Sequence, residues 1–226
     1  MYYIKRPFLL LGFIVSLNLN SQNDFESLGE TAFSLNHSIN SDYKINFSLR
    51  SRYFLYQESD FLFENRQLDF VHFSTYKLDY YHSLSLGIQY RLRESIDGGM
   101  NEFRIAQQFN YTKTNQAWRF GHTIRLEQRF FEFMTIIRAR YRFAIDRPLN
   151  GEELNIGESY LIASMEGLHS VSNKSKPEFG HRTTAQIGWL LSKKIKIQIG
   201  LEYRFEAINI YTVEKLFLLS SLILKV

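Results

Sequence analysis

The chain has 226 residues, 45% of them hydrophobic and 16% aromatic, with a formal net charge of +4. It contains no cysteine, which excludes disulfides, thiolate metal sites, a cysteine nucleophile and a lipidated amino-terminal cysteine. The positive charge is scattered, with no run of five like charges, so the electrostatic footprint of a nucleic-acid binder is missing and no nucleic-acid partner is expected.

The chain begins with Lys5 and Arg6, then an apolar stretch from Phe8 to Leu19, then Ser21. A charged start, a greasy core of about a dozen residues and a small residue at the exit describe a secretory leader, while a bilayer-spanning helix needs about 18 or more apolar residues. Residues 1–21 are therefore expected to be a cleaved signal peptide and residues 22–226 a single domain.

From there a two-residue rhythm runs through the chain. Tyr43, Ile45, Phe47 and Leu49 alternate with Lys44, Asn46, Ser48 and Arg50. Successive side chains of a β-strand point to opposite faces, so each such segment has one apolar and one polar face. In chain order the segments are 28–39, 43–56, 63–79, 82–94, 102–112, 116–130, 133–146, 158–170, 179–192, 194–207 and 212–226. Each is near or above the roughly 9–11 residues that a tilted strand needs to cross a bilayer. Only 3 prolines interrupt the chain.

Connections at 40–42, 79–81, 113–115 and 192–193 are short, and those at 57–62, 95–101 and 171–178 are longer and polar. Short turns on one side and long loops on the other are the plan of an outer-membrane barrel. The connections at 130–132 and 146–157 depart from it. Single-chain bacterial barrels have even strand numbers, so the fold expected is all-β, an antiparallel up-and-down transmembrane β-barrel of 10 or 12 strands. Segment 63–79, where Val71-His72-Phe73 breaks the alternation, is the place to split or merge. The alternative is a soluble periplasmic β-sandwich that acts as a binding protein.

The apolar phase, including Thr31, Phe33 and Leu35, Leu84 to Leu92, Phe133, Ile137 and Tyr141, and Leu216, Leu218 and Leu222, is expected to face lipid. Tyr43, Tyr53, Trp118, Tyr160 and Trp189 lie near strand ends, where aromatic girdles form. The opposite phase is rich in arginine: Arg50, Arg52, Arg91, Arg93, Arg104, Arg119, Arg125, Arg129, Arg138, Arg140, Arg142, Arg182 and Arg204, interleaved with Glu102, Glu127, Glu166, Glu202 and Glu206. An arginine on the lipid face costs about 2–4 kcal/mol near the midplane, so these residues are expected to line the lumen. There they form a bracing Arg–Glu network or a narrow pore for small anionic solutes.

His72 and Ser74 share a strand face at i and i+2, a spacing in which an imidazole activates a hydroxyl. It resembles that of outer-membrane phospholipases and lipid A deacylases, which makes a lipid hydrolase the enzyme alternative. No catalytic residue is otherwise assigned. His37, His82, His122, His169 and His181 lie on separate segments without ligand spacing, so neither metal nor cofactor is expected.

The run Ile124-Arg125-Leu126-Glu127-Gln128-Arg129-Phe130, followed by Arg138-Ala139-Arg140-Tyr141-Arg142-Phe143 and Pro148-Leu149, resembles the bacterial family known as domain of unknown function 2490. Tyr160-Leu161 with Glu166, Arg182 and the final hairpin fit it too, over roughly residues 24–226. The resemblance implies an exported outer-membrane β-barrel of Gram-negative bacteria with no established activity. The expected partners are outer-membrane lipids and, during biogenesis, the barrel-assembly machinery, for a protein that acts as a monomer.

Overall fold

Uninterrupted alternation and scarce proline give long strands. The computed structural model describes residues 25–57 and 60–226; the expected leader, residues 1–21, lies outside the described residues. The elements are β1 (Glu26–Ser38), β2 (Tyr43–Gln57), a two-residue β3 (Asp60–Phe61), β4 (Asn65–Lys77), β5 (His82–Leu92), a single-turn α1 (Glu94–Asp97), β6 (Glu102–Asn115), β7 (Trp118–Phe130), β8 (Thr135–Pro148), β9 (Ser159–Ser172), β10 (Glu178–Ser192), β11 (Ile195–Glu206) and β12 (Val213–Lys225). β3 pairs only with the end of β2, above the wall.

The remaining eleven strands form a closed barrel in which each pairs antiparallel with the next. β1 and β12 close it in parallel, from Glu26 opposite Lys215 to Asn36 opposite Lys225. The strand count thus corrects the expected 10 or 12, and the sheet is mixed rather than wholly antiparallel. Segment 63–79 contributes one wall strand, β4. Its alternation is locally exchanged rather than broken: Val71 and Phe73 face the interior, and His72 and Ser74 share the opposite, outward parity. With an odd number of alternating strands the first and last run the same way, so the closing pair must be parallel. A single sheet closed on itself also replaces the two-sheet sandwich of the alternative reading.

One rim carries residues 60–64 and the connections 93–101, 131–134, 173–177 and 207–212; the other carries 39–42, 78–81, 116–117, 149–158 and 193–194. Tight turns on the second rim are held by side chains. The Asn40 Oδ1 accepts the Asp42 and Tyr43 amides at 2.9 and 2.7 Å, and the Asp79 Oδ1 accepts those of Tyr81 and His82. Such Asx turns explain why Asn and Asp begin these reversals. Phe133, expected on a strand, lies instead in the 131–134 turn.

Burial is inverted relative to a water-soluble domain. The outward face exposes Leu86, Ile88, Ile124, Tyr141 and Leu201, while Asp69, Glu102, Arg104, Glu127, Arg129 and Glu166 are buried inside. Phe73 and Tyr160 also turn inward. Each lies opposite a glycine, Gly87 and Gly188, in positions where a Cβ would collide with the ring. The bare backbone makes room for the ring, an aromatic–glycine pairing known to support sheets. That pairing is why Tyr160 does not join an outward girdle as expected. Among the described residues no helix is long and apolar enough to cross a membrane.

Candidate functional site: an arginine-lined lumen

The two-residue period sends every second side chain of each strand into the barrel, and neighbouring strands place these side chains in rows. The result is a central cavity of about 580 Å³. All the arginines and glutamates singled out above as lumenal line it except Glu102 and Glu127, which lie behind the lining with 1% and 0% exposure, and Arg119, which is exposed at the rim of β7 and paired with Asp146.

A chain of ion pairs runs around the wall through seven strands. Asp69 on β4 receives Arg91 Nε and Nη2 at 2.8 and 2.9 Å, and Arg91 Nη1 reaches Glu102 at 3.3 Å. Glu102 also accepts Arg104 Nη2 at 2.7 Å and a two-pronged contact from Arg129. Arg104 continues to Glu127 at 3.4 Å. Arg140 then bridges Glu127 and Glu166, with contacts of 2.8 and 2.7 Å. Arg182 on β10 stands 3.5 Å from Glu166. Charge-assisted bonds of this length are among the strongest available to side chains, and the forked ones fix orientation as well.

Across the remaining wall the linker is a ring. Phe217 on β12 is sandwiched between Arg204 and Arg52, whose guanidinium carbons lie 3.6 and 4.8 Å from its centroid. Arg204 pairs with Glu202, and Arg52 with Glu30. These cation–π contacts carry the network over β12, where Phe217 stands in place of a carboxylate. Arg93 sits apart at the rim, clamped to Asp97 of α1.

The charged belt occupies the half of the barrel nearer the loop-bearing rim. Towards the other rim the lining is mostly uncharged: Ser34 and Ser48 are 2.8 Å apart, Thr75 and Ser85 2.9 Å, Thr123 and Asn110 3.1 Å, and Gln198 donates to Tyr160 at 2.8 Å, with Lys196 over the Tyr160 ring and an Arg119–Asp146 pair of 2.8 Å at the rim itself.

Asp69, Glu30 and Phe217 belong to the belt but were not singled out by the sequence. Asp69 lies two residues before the exchanged alternation of β4. Glu30 follows Leu28 and precedes Ala32 and Ser34 on its face of β1, so no charged run marks it, and Phe217 sits in an apolar run without contrast between faces.

His72 and Ser74 do come together, on the outward face. The His72 Nε2 is 3.1 Å from the Ser74 Oγ, and Nδ1 is 3.1 Å from the carbonyl oxygen of Asn46. A carbonyl only accepts, so Nδ1 carries the hydrogen and Nε2 is left to accept from the hydroxyl. The Tyr43 hydroxyl donates to the same Ser74 oxygen at 2.9 Å, and the imidazole packs on Phe47. Among the described residues no group of three or more potential ligands is placed to hold a metal ion.

A family profile described as protein of unknown function (DUF2490) matches residues 31–210. No curated protein and no solved structure matches the chain.

Proposed function

The chain belongs to the DUF2490 family, and on that premise we propose that it is a bacterial outer-membrane β-barrel, exported through its leader, whose braced lumen serves as a narrow porin-like conduit favouring small anions. The observation that carries this reading is the inverted burial: apolar side chains on the outside of every wall strand and ion pairs inside. In water that arrangement would leave a continuous apolar surface unpartnered; in lipid it is the low-energy one. Wall strands of 11–15 residues supply the length. Eight strands make a barrel filled by its side chains and sixteen leave an open channel, so eleven with long arginines leave a constricted one. The lipids around it and the assembly machinery that inserts it are its partners, and it acts as a monomer.

Detergent dependence and heat-modifiable gel mobility test the barrel in its membrane. Partition of the leaderless protein into the aqueous fraction without detergent would overturn it. Single-channel recording in planar bilayers tests the conduit, for which steady anion-selective current is expected. Silence from an intact, heat-modifiable barrel would reduce the role to a structural one.

The His72–Ser74 contact favours a second reading, a hydrolase acting on lipid esters from the outer face. In it, Ser74 Oγ attacks the acyl carbonyl as its proton passes to His72 Nε2; the proton then leaves with the alcohol, and water releases the acyl group. Phospholipid hydrolysis by the purified barrel, compared with Ser74→Ala, is the test, and equal turnover in both would remove the pair from consideration.

A further inference from the structure

The lumenal arginines fall into two groups. Arg91, Arg104, Arg129 and Arg140 are each held by carboxylates at hydrogen-bonding distance. Arg50 and Arg142, by contrast, make no hydrogen bond or ion pair among the described residues, although both line the cavity. Arg125 donates to Gln108 at 2.7 Å and reaches Glu127 only at 3.5 Å. A guanidinium has five N–H donors, so these three present a large unspent donor capacity to the same space.

They also converge. Arg125 and Arg140 are directly opposite on β7 and β8, which makes Arg142 the diagonal neighbour of Arg125 on the same face. Arg50, from β2, lines the same cavity as Arg125 and Arg142. The protein brings like charges together here, and the carboxylates nearest to them are already engaged: Glu127 and Glu166 by Arg140, and Asp69 by Arg91. The wider count agrees. Fourteen basic side chains line the cavity against six acidic ones, and Glu26, Asp97, Glu102 and Glu127, which pair with lining residues from just outside, still leave the basic groups in excess.

We propose that Arg50, Arg125 and Arg142 form a lumenal binding site for a doubly charged oxyanion of the phosphate class, either inorganic phosphate or the phosphate end of a small ester. Guanidinium forks match paired oxygens, which a spherical halide does not offer. Several converging cations favour a dianion over a monoanion. The cavity of about 580 Å³ exceeds the needs of phosphate alone and lies within the range of small-molecule sites. Thr123, Ser164 and Gln186 on its wall can hold the neutral remainder of an ester. The proposal rests on the reading that small solutes enter the lumen.

The test is thermal unfolding of the detergent-solubilised protein in millimolar inorganic phosphate, in succinate and in sodium chloride of matched ionic strength. A ligand that binds only the folded barrel raises its midpoint in a saturable way. Phosphate is expected to raise it beyond chloride, and the double variant Arg50→Gln with Arg142→Gln is expected to lose that increment, its phosphate affinity falling roughly tenfold or more. Neither side chain holds another group, so the variant keeps the barrel, which its gel mobility checks. Equal midpoints in phosphate and chloride, an increment undiminished in the double variant, or a response to succinate alone would overturn the site. Bilayer conductance separates this proposal from the conduit: stabilisation without current keeps the site and discards the conduit, and current without stabilisation does the reverse.

Discussion

Arg129 grips Glu102 with two parallel bonds, Nε to Oε1 at 2.6 Å and Nη2 to Oε2 at 3.0 Å, at a carboxylate that Arg91 and Arg104 reach as well. One acid thus ties three strands together, with Asp69 and Glu127 sharing the charge of Arg91 and Arg104. Removing one partner from a buried ion pair leaves an uncompensated charge, at a cost of about 3–5 kcal/mol. Glu102→Ala is expected to destabilise the barrel by that order, seen as a lower temperature for loss of the heat-modifiable band. A change within error would mean that the arginines are fully hydrated and the belt is not a brace.

The outer face supplies an orthogonal prediction. Ile88 is exposed near the middle of β5, and its neighbour Gln89 points inward. In a bilayer Ile88→Arg is expected to cost about 2–4 kcal/mol, measured by denaturant refolding into lipid vesicles, while Gln89→Lys costs much less. Equal effects would contradict a lipid-facing exterior.

Closure of the barrel is testable by cross-linking. Thr31 and Ser220 are paired across the β1–β12 seam with their oxygens 3.0 Å apart, and the chain has no cysteine of its own. Thr31→Cys with Ser220→Cys is expected to form an intramolecular disulfide under oxidation, visible as a mobility change on a non-reducing gel. A register shifted by one residue would turn position 220's partner inward and give no bond.

Most of the wall was legible because one rule governs it. The alternation that places Arg125, Glu127 and Arg129 on one face of β7 and Arg138, Arg140 and Arg142 on one face of β8 is a local property, and the ladder between them preserves it. Three things are not local. The strand number depends on how β1 meets β12, between residues 189 apart, and no period in the chain encodes that. Asp69 was obscured because Val71 and Phe73 turn inward beside it, where Phe73 fills the space over Gly87 and takes the Arg125 guanidinium on its face. The part played by Phe217 exists only once β11 and β2 bring their arginines to its ring.

At the loop-bearing rim, Asp97 of α1 is bound by Arg93 Nη2 at 2.5 Å and by the Gly99 amide at 3.0 Å. Burial alone would raise the Asp97 carboxyl, but the Arg93 hydrogen bonds, the Gly99 amide and the nearby positive charge outweigh it and hold the group below its ordinary range. A depressed carboxyl stabilises the loop fully above the unfolded value of about 3.9 and loses that contribution as the pH falls through the folded one. Amide exchange in residues 94–101 is expected to accelerate, relative to that in β5, below about pH 4. Asp97→Asn should show the faster relative exchange already at neutral pH.

The odd strand number makes the barrel a one-way street for its own backbone. Chain that enters β1 does so at the loop-bearing rim, and chain that leaves β12 does so at the rim of tight turns. In the proposed membrane setting, epitopes spliced ahead of Glu26 and behind Lys225 are therefore expected to report on opposite compartments. In an even-stranded barrel both would open onto the same one.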